Sequence, residues 1–215
     1  MERYANHMPN VKPRRAHERQ SADTRTVIVG AAAELFERDG YARTTVGAIA
    51  ERAGVVIQTI YNSIGPKSAV LAAVLDRAAA GPEAPRPVPV FLAERTAGAE
   101  TAQELVEMLA DWFAEVAPRL AGMNRVVAEA ATTDDAVAQL ERARASRRFN
   151  NYGKAADALL ALPGARVQSR EAIAAVLWTI GNAIVHRHLA EVEGWDAAAY
   201  REWVGSTLTA ALLTD

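Results

Sequence analysis

Three glycines cut residues 24–77 into helical segments so short that each must bury its apolar face against its neighbours. Ile28, Ala32, Leu35 and Phe36 recur at i, i+4, i+7 and i+8, the apolar stripe of a first helix that Asp23 is placed to cap. Gly40 ends that helix. Thr44 is placed to cap a second helix, whose Val46, Ile49 and Ala50 turn inward. Gly54 supplies a sharp turn, where a positive φ costs glycine least. A third helix is expected from about Ile57 to Ile64, stopped by Gly65. Pro66 suits the first turn of a fourth, where its missing N–H costs nothing. Val70, Leu71, Val74 and Leu75 give that helix its buried face. Two short helices across a tight turn, the second with a short polar and aromatic outer face, are the layout that places a helix in a DNA major groove.

The remaining sequence holds no strand alternation. Residues 81–90 read GPEAPRPVPV, and their prolines stop any helix there. Beyond this connector, long helices are expected at about 100–117, 118–131, 133–162, 168–193 and 196–213. Pro118 separates the first two, Pro163-Gly164 ends the third, and Gly194 ends the fourth, with Asp196 capping the fifth. The fold class is therefore all-α. The expected organisation is a mobile basic arm at 1–22, a helix-turn-helix domain at 23–67 and a helical body at 68–215. In the arm, Arg14, Arg15 and Arg19 are of the type that touches phosphates or a minor groove. A disordered leader is the alternative.

Composition removes several function classes. The chain has no cysteine, so disulfides, thiol catalysis and cysteine zinc sites are excluded. It has no apolar run long enough to span a membrane, and its polar N-terminus has no signal-peptide core, so a cytoplasmic protein is expected. No nucleophile elbow, phosphate loop or HExxH motif occurs. His186 and His188 lie two apart on a helix and point to different faces, so no metal or cofactor is expected. The formal net charge of −2 hides an asymmetry: residues 1–80 hold 11 Lys+Arg against 8 Asp+Glu, and acids exceed bases in the remainder. A positive head on a negative body fits DNA binding.

The outer face of the third helix has suitable chemistry. Gln58 can pair with adenine through two hydrogen bonds, and Thr59 can bond a base or touch a thymine methyl. Asn62 and Ser63 share that face by helical spacing. Tyr61 offers a hydroxyl to a phosphate. Lys67, at the start of the fourth helix, suits another phosphate, as do Thr44 and the neighbouring Thr45 at the start of the second. Ile60 and Ile64 are expected to anchor the helix inward. Each polar residue also has a plainer role available: a cap for Thr44, packing for Tyr61, a solvated surface for Gln58 and Asn62.

These residues carry a family resemblance. Ala32-Ala33, Leu35-Phe36, Gly40-Tyr41, Thr44-Thr45, Ile49-Ala50, Ala53-Gly54-Val55, Thr59-Ile60-Tyr61 and Lys67 together resemble the N-terminal domain of the TetR family of transcriptional regulators. The resemblance covers about a quarter of the chain. Val56, Ser63 and Ile64 depart from it, standing where a small hydroxyl residue, a larger His or Tyr, and Phe are usual. The family implies a homodimeric repressor that binds a palindromic double-stranded operator and responds to a small-molecule effector. The rival reading is an all-α small-molecule-binding protein or enzyme without sequence-specific DNA binding.

The body resembles the family in length and helicity. An effector pocket is implied, with Met108, Trp112, Phe113, Met123, Tyr152, Trp178 and Asn182 as candidate lining residues of a type suited to an apolar ligand. Core packing is the plainer role for each. Ile173, Leu177, Ile180 and Ile184 on one helix, and Tyr200, Val204 and Leu208 on the last, form stripes that suit a four-helix dimer interface. The same stripes also suit burial within the subunit.

Overall fold

The computed structural model describes residues 12–81, 94 and 97–214, with side chains from Gln20 onward. Residues 1–11 of the expected arm, the side chains of Arg14, Arg15 and Arg19, and positions 82–90 of the expected connector lie outside the described residues. Among the described residues there is no strand; Ala165 and Leu213 form an isolated antiparallel bridge. No helix among them is long and apolar enough to cross a membrane.

The helices are α1 (Lys12–Arg43), α2 (Val46–Ala53), α3 (Ile57–Ser63), α4 (Lys67–Ala80), α5 (Ala102–Ala130), α6 (Asp135–Leu160), α7 (Arg170–Ile180), α8 (Ala183–Arg187) and α9 (Ala197–Leu212). A π-helical turn, His188–Val192, follows α8. The described part of α1 already runs from Lys12, ahead of the expected start at Asp23: Pro13 fits a first helical turn, and Gly30 is absorbed within the helix, which holds until Gly40. Gly40, at φ 76°, turns the chain out of α1 as the sequence requires.

Two expected boundaries differ. α5 continues through Pro118. Pro118 removes one backbone bond, a loss of ~3 kcal/mol in a helix interior. Packing on both sides outweighs that loss: Trp112, Phe113 and Ala117 are buried before it, and Met123, Val126 and Val127 after it. The expected 168–193 helix, by contrast, breaks at Gly181-Asn182. The Asn182 side chain accepts from the Ile184 N–H at 3.0 Å and so starts α8 afresh.

Two cores result. One joins α1–α4 to Met123, Val126, Val127 and Ala130 of α5 and to Val137 of α6. The other packs the first half of α5 against α6, α7 and α9. α5 therefore passes through both cores. α6 starts beside the first and ends in the second.

Candidate DNA-reading head and a buried polar cluster

α3 is held from within by Ile60, which is fully buried. It is held from the side by Arg25 of α1, whose guanidinium donates to the Ser63 carbonyl at 3.0 Å. Ile64 is half-buried against the same core. With that side fixed, Gln58, Tyr61 and Asn62 stand exposed. Gln58 Nε2 donates to Asn62 Oδ1 at 2.8 Å, one helical turn away. The bond uses one donor and one acceptor, and the pair retains the Gln58 oxygen and the Asn62 amide for a base edge. Thr59 and Ser63 are half-buried. Val56 and Ile57 are exposed at the helix start, an apolar tip that could meet a thymine methyl. The sequence reading gave these two residues no such role, although apolar residues at the N-terminus of a groove-seeking helix are a usable signal.

The expected roles of Thr44 and Thr45 exchange. Thr44 is buried, and its hydroxyl lies 2.8 Å from the Gly40 carbonyl and 3.2 Å from that of Leu35. It closes the end of α1, whose last carbonyls lack helical partners. Thr44 neither caps α2 nor presents its hydroxyl to a phosphate. Thr45 is the cap: its exposed oxygen accepts from the Ala48 N–H at 3.0 Å.

Lys67 is committed internally. Its ammonium donates to the carbonyls of Tyr41 at 2.9 Å and Thr44 at 3.0 Å. It also lies 4.0 Å from the centre of the Tyr41 ring, a cation–π contact. Burial lowers its pKa, and the charge of Asp134 opposes that shift. The Tyr41 hydroxyl, pushed up to about 12 by burial and then by the Asp134 carboxylate, donates to that carboxylate. Asp134 in turn caps α6, accepting from the N–H groups of Ala136 at 2.9 Å and Val137 at 3.2 Å. Asp76 of α4 pairs with Arg144 at 2.6 Å and Arg147 at 3.3 Å, also on α6. α6 is thereby fastened to the head at two levels.

The residues proposed for an effector pocket divide. Met123 lies in the head core, away from the others, because it falls beyond Pro118 on the head side of α5. Asn182 is used as the α8 cap. Met108 is half-buried and Trp112 is buried in the body core. Phe113 and Tyr152 do meet, edge to face, with centroids 5.8 Å apart. Both press on Gly181: a Cβ there would come within 2.6 Å of the Phe113 ring and 2.8 Å of the Tyr152 hydroxyl. Trp178 carries the guanidinium of Arg148, 4.0 Å from its ring centre, and meets Phe149 edge to face.

Around these rings lie three buried polar atoms without hydrogen-bond partners: Arg148 Nε, His186 Nδ1 and Tyr200 Oη. Leaving such an atom unsatisfied costs ~1–3 kcal/mol. The His186 and Tyr200 rings stand edge to face at 4.7 Å. Burial pushes the Tyr152 and Tyr200 hydroxyls up to about 12 and lowers the pKa of His186 and Arg148. Arg148 and His186 were missed as ligand candidates. For Arg148 the available signal was its position one helical turn before Tyr152.

Six residues expected at a dimer interface are interior instead. Ile173, Leu177, Ile180, Tyr200, Val204 and Leu208 are at most 6% exposed in the single subunit, packed with α5 and α6. Their stripes point at the subunit's own core because α5 and α6 cover that face. Ile184 differs: the restart at Asn182 rotates it outward, and it is 67% exposed, as is Val192.

The comparisons agree with this architecture. Residues 28–74 match the model of the bacterial regulatory proteins of the tetR family. Among solved structures, NalD, the secondary repressor of the MexAB-OprM multidrug efflux pump in Pseudomonas aeruginosa, is 19% identical at a TM-score of 0.66, over 91% of this chain and 99% of that one. The SmeT–triclosan complex is 22% identical at 0.68, over 90% and 93%. A chain from Saccharomonospora viridis solved with choline is 15% identical at 0.67, over 90% and 100%. No curated protein matches the chain.

Proposed function

Starting from a chain that belongs, by its N-terminal domain, to the TetR family of DNA-binding transcriptional regulators, we propose that it is a ligand-responsive repressor acting as a homodimer on a palindromic operator. Members of this family are regulators and not enzymes, which sets the enzymatic alternative aside. The observation that carries the reading is the outer face of α3, where Gln58, Tyr61 and Asn62 stand exposed on a helix locked from behind by Ile60 and Arg25.

In this reading Gln58 and Asn62, with Thr59, contact base edges. Tyr61 and Thr45 reach phosphates, and Ser63 lies at the margin of the interface. Lys67 holds the α1–α2 turn and the start of α4 in register, and contributes its charge to the phosphate field. Homodimerisation runs through the outward faces of the α7–α9 region, where Ile184 and Val192 are exposed and Trp203 is half-buried. A two-fold dimer would present two α3 helices about 34–36 Å apart, one turn of DNA. The effector acts in the body around Phe113, Tyr152 and Trp178. It lowers operator affinity by preferring a body conformation that misplaces the heads, by no more than its differential affinity allows.

Selection of genomic fragments with purified protein tests this, with Gln58→Ala/Tyr61→Phe/Asn62→Ala as control. The expected result is one palindromic motif, lost in the control and weakened steeply by salt. Equal recovery by the control would remove α3 as the reading helix.

A further inference from the structure

We propose that the body binds an organic anion, its acidic group taken by Arg148 and its apolar part lodged among Phe113, Tyr152 and Trp178. This rests on the ligand-responsive reading above and gives that ligand a charge class.

Three neighbouring arginines of α6 make the contrast. Arg144 and Arg147 share Asp76. Arg148 lies against the Trp178 ring instead, and among the described residues no carboxylate pairs with it. Its Nε is buried and unbonded. This guanidinium has its Nε out of water and has gained no counter-charge, an arrangement that an anion would repair. Burial already depresses its pKa.

The other unsatisfied atoms fit the same ligand. Tyr200, 1% exposed, has a hydroxyl without a partner, and His186, 7% exposed, has an unbonded Nδ1. Tyr152 lies one turn from Arg148 on α6, and its hydroxyl abuts Gly181, at the start of the segment that carries His186. An uncompensated positive charge, with unpaired polar side chains packed in or against the same core, selects an oxygen-rich anion. A cation would meet Arg148 as a like charge. A neutral apolar ligand would leave all three polar atoms unpaired.

The site is closed in this structure, since Phe113 and Tyr152 pack on Gly181. Two helix interruptions follow one another here: the α7–α8 break at Gly181-Asn182, on which Phe113 and Tyr152 pack, and the π-helical turn at His188–Val192. Such turns occur often at functional sites.

The test uses the full-length protein and two probes with the same rings. One is 8-anilinonaphthalene-1-sulfonate; the other is its uncharged parent, N-phenyl-1-naphthylamine. Binding is read by probe fluorescence, and operator occupancy is read in parallel. We expect the sulfonate to bind at least about tenfold more tightly than the parent. Arg148→Met should abolish that preference by lowering the sulfonate's affinity to the level of the parent's, and Arg148→Lys should restore most of it. Tyr200→Phe should weaken the sulfonate selectively. Thermal melts confirm that each variant is folded.

Equal affinities, a preference unaltered in Arg148→Met, or no binding of either probe would overturn the proposal. If both probes bind alike and both release the operator, the ligand-responsive reading stands and the anion assignment falls. If the sulfonate binds through Arg148 without altering operator occupancy, the assignment stands and the responsive mechanism falls.

Discussion

Lys67 sits 4.0 Å above the centre of the Tyr41 ring while donating to the Tyr41 carbonyl at 2.9 Å. One side chain thus clamps both the ring and the backbone of the residue that leaves α1. The position expected to be a plain phosphate contact is a structural one first. Lys67→Met should lower stability by about 1–3 kcal/mol, from the charged hydrogen bonds and the cation–π contact. Lys67→Arg should recover part of it. Urea midpoints of the two variants check this, and an unchanged midpoint for Lys67→Met would show that the clamp adds nothing.

On α3 the balance is reversed. Gln58→Ala and Asn62→Ala remove exposed side chains, so stability should stay within about 0.5 kcal/mol of the parent. Operator affinity should fall by about 1–3 kcal/mol for each residue that reads a base. Parallel melting and gel-shift titrations separate the two effects. A large drop in melting temperature with unchanged DNA affinity would reverse the assignment.

Gly181 is constrained by what presses on it. Gly181→Ala places a methyl group into the Phe113 ring and the Tyr152 hydroxyl, and should cost about 1–3 kcal/mol through overpacking. Gly164→Ala meets no neighbour, but its φ of 88° strains a side-chain-bearing residue there as well. Combining Gly181→Ala with Phe113→Leu should return part of the loss. That rescue, measured by urea denaturation, distinguishes a packing effect from a backbone one.

Alkaline pH should loosen both cores. Tyr41, Tyr152 and Tyr200 are buried, and each folded pKa lies at about 12, above the ordinary 10.0. A raised folded pKa contributes stability that is whole below pH 10 and lost as pH rises toward 12. The slope is at most about 1.4 kcal/mol per pH unit for each tyrosine. Urea midpoints should therefore fall steadily between pH 10 and pH 12, and Tyr41→Phe should flatten the fall. A midpoint independent of pH over that range would contradict the burial argument.

Much of the head was legible because its determinants are local. The stripe from Ile28 to Phe36, the turns at Gly40 and Gly54 and the stop at Gly65 are read from neighbours in the chain. What was not legible depends on contacts distant in sequence. Thr44 and Thr45 are adjacent and chemically alike, and only the position of the α1 carbonyls decides which is buried. Pro118 reads locally as a break, but two cores on either side of it keep α5 continuous. The stripes of α7 and α9 have the same spacing whether they face a partner or the subunit's own core. That choice depends on where α5 and α6 lie. Arg148 looks like any surface arginine until Trp178, far along the chain, is brought beneath it.

α6 starts at the clasp between Asp134 and Tyr41 and carries Arg148 part-way along its length. At 1.5 Å per residue, about 21 Å of rigid helix separate the two points. Pivoted near Arg148, a tilt of ~5° would sweep the Asp134 end through ~2 Å, the difference between a hydrogen bond and none. In mechanical terms the helix is a lever with its short movements in the body and its long ones at the head, so a tilt too small to disturb the surroundings of Arg148 is enough to part Tyr41 from Asp134.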